Sequence, residues 1–239
     1  MRIRIKFKKY GSMRFIGHLD MMRYFQKAIR RADIDIVYTE GFSPHQVMSF
    51  AAPLGVGIIS DGEYLDIEVH SSKSSKDAMD ALNQVMAEGV EITDYVQLPK
   101  DAKKAMAIVA AAEYEVFVKE PIEKPKELFL ELEANLNSYF SKRDEIIITK
   151  QTKKGERTLD IKPHIYRLNA YQRNQEAGFY LFLSAGSEEN IKPELIVEDF
   201  HHYINKNYHK FDWQIRRKDV YAKSDHGFLP LSAFGSPVV

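Results

Sequence analysis

Residues 2–8 alternate without a break, with Ile3, Ile5 and Phe7 on one side and Arg2, Arg4, Lys6 and Lys8 on the other. Only an extended strand sends successive side chains to opposite faces, so this segment is a strand with one apolar and one basic face. The period then changes. Leu19, Met22, Phe25, Ile29 and Ala32 recur at three- and four-residue spacing, which predicts a helix over 17–32 with those residues buried. Residues 34–39 read as a strand, Gly41-Phe42-Ser43-Pro44 as a turn, and 63–69 as a second alternating strand with Leu65, Ile67 and Val69 inward. A helix over 75–88, capped by Ser74 or Ser75, and a strand over 90–96 complete the segment.

The order is strand, helix, strand, strand, helix, strand, the split βαββαβ or ferredoxin-like pattern. It recurs downstream. A strand at 113–119 is followed by a helix at 126–141, then a strand at 146–150 that passes a hairpin at Lys153-Lys154-Gly155 and continues into 159–170. A strand at 179–184, a helix at 193–205 and a strand at 213–220 close the second set. The expected fold is α+β, two tandem ferredoxin-like (βαββαβ) units with antiparallel sheets. The first spans 1–99 and carries the basic first helix, the second spans 105–223, and 224–239 is a tail.

Composition narrows the function classes. The 239 residues include 34 basic and 34 acidic side chains, so no global positive charge drives the chain onto nucleic acid. The chain has 0 cysteines, which excludes disulfides, thiolate zinc sites, a cysteine nucleophile and a cysteine-ligated iron–sulfur cluster. No apolar run approaches the ~20 residues that span a bilayer, and the N-terminus lacks a signal-peptide core. A cytoplasmic location is expected. There is no P-loop, Rossmann glycine fingerprint or nucleophile elbow, so no cofactor is expected.

The neutral total hides an asymmetry. Residues 1–31 hold 10 basic side chains against Asp20 alone, whereas residues 32–99 hold 12 acidic ones against Lys73 and Lys76. The basic row of the first strand could lie on an open sheet face and meet RNA. The facing Tyr64, Asp66 and Glu68 favour a cross-strand charge ladder instead. On the first helix, Arg23, Lys27, Arg30 and Arg31, with Arg14 just before it, form a candidate phosphate-binding set. The alternative is that Arg30 and Arg31 complement the helix dipole at its last turn.

His18, Asp20 and His45 are the one cluster with catalytic or metal character. The two imidazoles could act as acid and base in a metal-independent endoribonuclease, while a third metal ligand is missing, so no metal site is expected. A structural hydrogen bond is the commoner use of a histidine. Asp160 to His164 and Gly186 to Pro193 set cations beside prolines and read first as strand end and helix start. Lys153-Lys154-Gly155 and Arg216-Arg217-Lys218 read as solvated charge, with extension of a basic track as the alternative.

Several of these pieces occur together in one order: Arg14-Phe15-Ile16-Gly17-His18-Leu19-Asp20, Ala28 to Ala32, Gly41-Phe42-Ser43-Pro44-His45, Pro53-Leu54-Gly55 and Ser60-Asp61-Gly62-Glu63-Tyr64. In combination they resemble the radical SAM-linked family, a bacterial domain of unknown function, in its stand-alone form. Gln46 departs from that family, which more often has proline there. The resemblance implies an accessory protein that works beside a radical SAM protein or an E/G-type ribonuclease. The expected function is RNA binding in support of an RNA-modifying or RNA-processing enzyme. Arg14, Arg23, Lys27, Arg30 and Arg31 would contact phosphates, Phe42 would stack, and His45 would donate a hydrogen bond. A protein-only scaffold, its basic helix meeting an acidic partner, is the other non-catalytic reading.

Overall fold

The structure is a computed structural model that describes residues 1–152, 155–187 and 189–239. Lys153 and Lys154, at the expected hairpin tip, lie outside the described residues. The chain begins with β1 (Arg2–Lys9), α1 (His18–Arg31), β2 (Met48–Phe50), β3 (Ile59–Glu68), α2 (Ser75–Val85), β4 (Val90–Gln97) and the short α3 (Ala105–Ile108). It continues through β5 (Val109–Val118), α4 (Pro125–Ser141), β6 (Ile147–Thr152), β7 (Gly155–Asp160), β8 (Ile165–Arg173), β9 (Glu176–Ser184) and α5 (Pro193–Tyr203). The last strands are β10 (Trp213–Ser224), β11 (Gly227–Pro230) and β12 (Ser236–Pro237). The architecture is α+β with mostly antiparallel sheet.

Two compact units emerge. Unit 1 comprises 1–111 and 217–239, and unit 2 comprises 112–216. These bounds differ from those expected at 99, 105 and 223, because residues 217–239 belong with the N-terminal strands.

In unit 1 the strands lie in the order β12-β4-β1-β3, and both β2 and β10 pair with β3. Ile3, Ile5 and Phe7 of β1 are buried against Phe25 and Ile29 of α1, with Leu65 and Ile67 of β3 in the same core. Ser74 caps α2 by accepting from the Asp77 backbone N–H at 3.1 Å. Residues 34–39 do not form the expected strand. Ile36 bridges to Val69 and Tyr38 to Gln46, so successive residues pair with different partners and no ladder is built.

The basic row of β1 is not on an open face. Arg4 is 1% exposed. Its Nε and Nη2 donate to the Asp66 carboxylate at 2.7 and 3.0 Å, and its Nη1 donates to the Leu231 carbonyl at 2.9 Å. Asp66 also accepts from the Ala105 N–H at 2.7 Å. Lys6 pairs with Asp219 at 2.6 Å and Lys8 with Glu91 at 3.0 Å. The charge ladder is therefore formed, although Asp219 and Glu91 lie outside the strand that sequence pairs with it.

The expected tail helps to cover this face. Leu231 is buried and β12 pairs with β4. Gly235 lies so close to β4 that a Cβ there would meet Val96 Cγ2 at 2.6 Å and the Gln97 carbonyl at 2.8 Å. The basic run near 217 is likewise not solvated. Arg217 is buried and makes bidentate contacts to Glu63 at 2.6 and 2.9 Å, while Lys218 pairs with Asp61 at 2.5 Å. A buried guanidinium must find a carboxylate or carbonyl, and β3 supplies one at each position.

In unit 2 the order is β10-β5-β9-β8, with β6 and β7 forming a separate two-stranded sheet. The single strand expected to run from the hairpin to residue 170 is broken at Ile161 to His164. There the Asp160 carboxylate accepts from the Ile146 and Lys162 N–H groups at 2.9 and 3.0 Å. Arg216 pairs with Glu115 and Glu176 and stacks over Phe117 at 4.5 Å. His201 is buried among the rings of Phe179, Phe200, Tyr208 and Trp213, and its Nδ1 donates to the Val197 carbonyl at 2.6 Å.

Asp66→Ala strands the buried Arg4 charge and lowers unfolding free energy by about 3–5 kcal/mol, read as a fall in the urea midpoint. Burial holds the folded-state pKa of His201 below its ordinary 6.5, so the unfolded chain binds the proton more readily. The stability that His201 contributes is present above pH 6.5 and is lost as the pH falls through the folded-state value. Thermal unfolding across that range shows this slope, and His201→Gln flattens it.

Candidate nucleic-acid interface

The face of α1 that is not buried carries the cations. Met21, Phe25, Ala28 and Ile29 point into the core. Arg23, Lys27, Arg30 and Arg31 occupy an arc of about 100° on the opposite side, because residues four, seven and eight apart nearly superimpose on a helix. All four are exposed. Leu19, expected in the buried stripe, is 62% exposed. It lies about 200° around the helix from Met21, on the cationic side.

The partners of these cations are few. Arg23 Nη1 reaches Asp20 at 3.2 Å, Arg30 Nε donates to the Gln26 carbonyl at 3.4 Å, and Arg31 Nη2 donates to the Val85 carbonyl at 3.0 Å. Among the described residues Lys27 has no side-chain partner. Each arginine keeps N–H groups that these contacts do not use. Arg14 stands apart. It lies in a 3-10 turn (Gly11–Phe15), its guanidinium stacks on Phe15 at 4.7 Å, and its Nε is buried without a hydrogen bond.

The loop at 41–45 is joined to the cationic helix by Gln46, the residue at which the sequence departs from the family it resembles. Gln46 is buried, and its Nε2 donates to the Gln26 carbonyl at 3.2 Å, the same oxygen that Arg30 Nε approaches. Gln46 Nε2 also reaches the Tyr38 hydroxyl at 3.4 Å. Phe42 is fully exposed at the loop. His45 is exposed too, but its Nδ1 lies 3.0 Å from the Thr39 hydroxyl, and its backbone N–H donates to that hydroxyl at 3.1 Å. His18 packs edge-on against Phe50 at 5.3 Å. Among the described residues no hydrogen bond or ring contact joins His18 to His45, and no group of three metal-ligating side chains is assembled.

The end of α1 carries a feature that residue spacing alone did not single out. The Ile34 N–H donates to the Ile29 carbonyl at 3.2 Å and the Asp33 N–H to the Arg30 carbonyl at 3.3 Å. This is a Schellman cap, and Asp33 takes its left-handed position with φ 55°. Glycine is the usual occupant there. An aspartate costs backbone strain and also sets a negative charge at the negative end of the helix dipole. Beside it, Arg30, Asp33, Asp35, Tyr38, Ser71 and Lys73 border a cavity of about 510 Å³. With Tyr95, which also lines it, they come from three separate stretches of chain, so no spacing rule could have gathered them.

Comparison with known proteins gives a family but no activity. The sequence model of a family described as "uncharacterized protein conserved in bacteria" (DUF2344) matches residues 2–193. No curated protein is matched. Among solved structures, a chain of a Cbf5-Nop10-Gar1 complex is similar at 12% identity and a TM-score of 0.43, over 91% of this chain and 48% of that one. The chain thus spans about half the length of that chain. Among the described residues no helix is long and apolar enough to cross a membrane.

Relief of the cap strain is measurable. Asp33→Gly raises unfolding free energy by about 1 kcal/mol, because glycine adopts the left-handed conformation without the Cβ clash. The denaturant midpoint moves up accordingly, whereas Asp33→Val moves it down.

Proposed function

The chain belongs to DUF2344, a family of uncharacterized proteins conserved in bacteria, and from that premise we propose that it is an RNA-associated accessory protein. Unit 1 binds single-stranded RNA along the outer face of α1, with Arg23, Lys27, Arg30 and Arg31 as phosphate contacts. Phe42 stacks on a base, and His45 offers a hydrogen bond beside it. Arg14 extends the cationic track at the start of the helix. The observation that carries this reading is the exposed arc of four cations on α1, of which only Arg23 is ion-paired among the described residues, to Asp20, while Arg4, Lys6 and Lys8 of β1 and Arg216, Arg217 and Lys218 of β10 are each held in ion pairs.

The strand orders support a ferredoxin-like reading of each unit. In unit 1 the neighbours run β4-β1-β3-β2, and in unit 2 they run β10-β5-β9-β8 with the β6–β7 hairpin inserted. Each corresponds to the order of a split βαββαβ sheet. An enzyme partner, a radical SAM protein or an E/G-type ribonuclease, is proposed from the family resemblance alone. The protein would present RNA to it without itself reacting.

The test is an RNA-binding titration at several salt concentrations. Binding weakens as salt rises, and Arg30→Ala with Arg31→Ala reduces the slope of log K against log salt by roughly 1.4, about 0.7 for each lost phosphate contact. The same change at Lys126, exposed on α4 of unit 2, leaves the slope unaltered. Unchanged affinity in the α1 double variant overturns the proposal. A cellular partner that stays bound after ribonuclease treatment and needs Arg30 and Arg31 favours the protein scaffold instead.

A further inference from the structure

The cavity at the end of α1 is lined by side chains of both signs of charge. Arg30 and Lys73 are exposed cations that border it. The carboxylates of Asp33 and Asp35 line it, and Asp35 is oriented through Oδ2, which accepts from the Ser71 hydroxyl at 2.7 Å. Tyr38, 46% exposed, adds an aromatic wall. Tyr95 is buried and adds a hydroxyl, which lies 3.0 Å from the Ser72 hydroxyl. A volume of about 510 Å³ suits a ligand of nucleotide size.

The carboxylates can accept from a ligand edge that donates, and the cations can hold an anion. A stacking face is provided as well. Guanine meets all three demands within a nucleotide. Its N1–H and N2 amino group are adjacent donors that match a carboxylate, whereas the Watson–Crick edges of adenine and cytosine each offer one exocyclic donor group. Its phosphate suits Arg30 and Lys73, and its ring suits Tyr38.

Arg30 also belongs to the cationic arc of α1, so an RNA backbone that follows the helix arrives at the mouth of the cavity. Asp33 holds its carboxylate there in spite of a strained backbone and an opposing helix dipole. We infer that this cavity receives one unstacked guanine of a single-stranded RNA, read by the carboxylates of Asp33 and Asp35. The inference rests on the RNA-binding reading of α1 and adds base selectivity to it.

The test uses the full chain and three oligouridine RNAs that carry one central guanosine, inosine or adenosine. The guanosine RNA binds about tenfold tighter than the adenosine RNA. Inosine, which keeps N1–H and lacks the N2 amino group, falls between them. Asp33→Asn with Asp35→Asn is isosteric, and asparagine tolerates the left-handed position, so the fold is kept. That variant no longer distinguishes the three RNAs, and it binds each more tightly than the wild-type protein binds the adenosine RNA, because two negative charges beside Arg30 are gone. Equal binding of guanosine and adenosine RNAs by the wild-type protein overturns the guanine assignment and leaves the α1 reading standing. Failure of all three RNAs to bind overturns the α1 reading itself. Competition by free guanosine monophosphate at the concentration of the RNA supports the cavity assignment and overturns RNA as the source of the base.

Discussion

Unit 1 is organised around a guanidinium that has no access to water. Arg4 alternates with Ile3 and Ile5 on a strand whose apolar face must be buried, and its own face is covered as well. Desolvating that charge is tolerable only if its donors are matched. Asp66 takes two of them, and backbone carbonyls of Leu231 and Lys103 take others. This demand fixes parts of the chain that local sequence leaves undetermined. The segment before α3 is drawn to Arg4 and Asp66, and the C-terminal residues close over β1 and β4.

The same logic resolves the charge asymmetry of the first half. Glu63, Asp66 and Asp61 on β3, together with Asp219 on β10, neutralise Arg217, Arg4, Lys218 and Lys6. Tyr64 donates to Asp219 at 2.7 Å, and burial with that carboxylate beside it pushes the phenol pKa up. Of these four pairs only Arg4–Asp66 joins the basic and acidic segments of the first half, and residues 217–219 close the other three. The α1 cations are left out because a helix packed on one face cannot bring its outer arc to the sheet.

Much of this was legible in the sequence, and the exceptions have physical causes. Period-two and helical patterns located β1, α1, β3, α2 and β4 because each has one buried face. Leu19 was misplaced because a three-residue step to Met22 resembles a stripe, whereas Met21 begins the one that is buried. Residues 217–239 were assigned away from the N-terminal strands because their pairing partners lie far away in sequence. Residues 34–38 carry strand-like composition but bridge to separate partners. At the candidate site the cationic arc was visible from spacing alone. Gln46 looked like a departure from the family and proved to be the tie between the loop and α1, through a carbonyl that no side-chain pattern reveals.

The end of α1 is where local and global preferences conflict. A stable helix of this kind would take glycine at residue 33 and no acid near its C-terminus. The sequence instead places Asp33 there and flanks it with Arg30 and Arg31. Those cations only partly offset the carboxylate, since Arg30 and Arg31 also engage backbone carbonyls of Gln26 and Val85. A residue that costs conformational energy and sits in an unfavourable field is poorly explained by folding alone, and it borders the cavity whose rim continues the cationic face. Replacing it by glycine improves the cap and removes a carboxylate from the cavity in one step. Stability and base selectivity are thus set against each other at a single position.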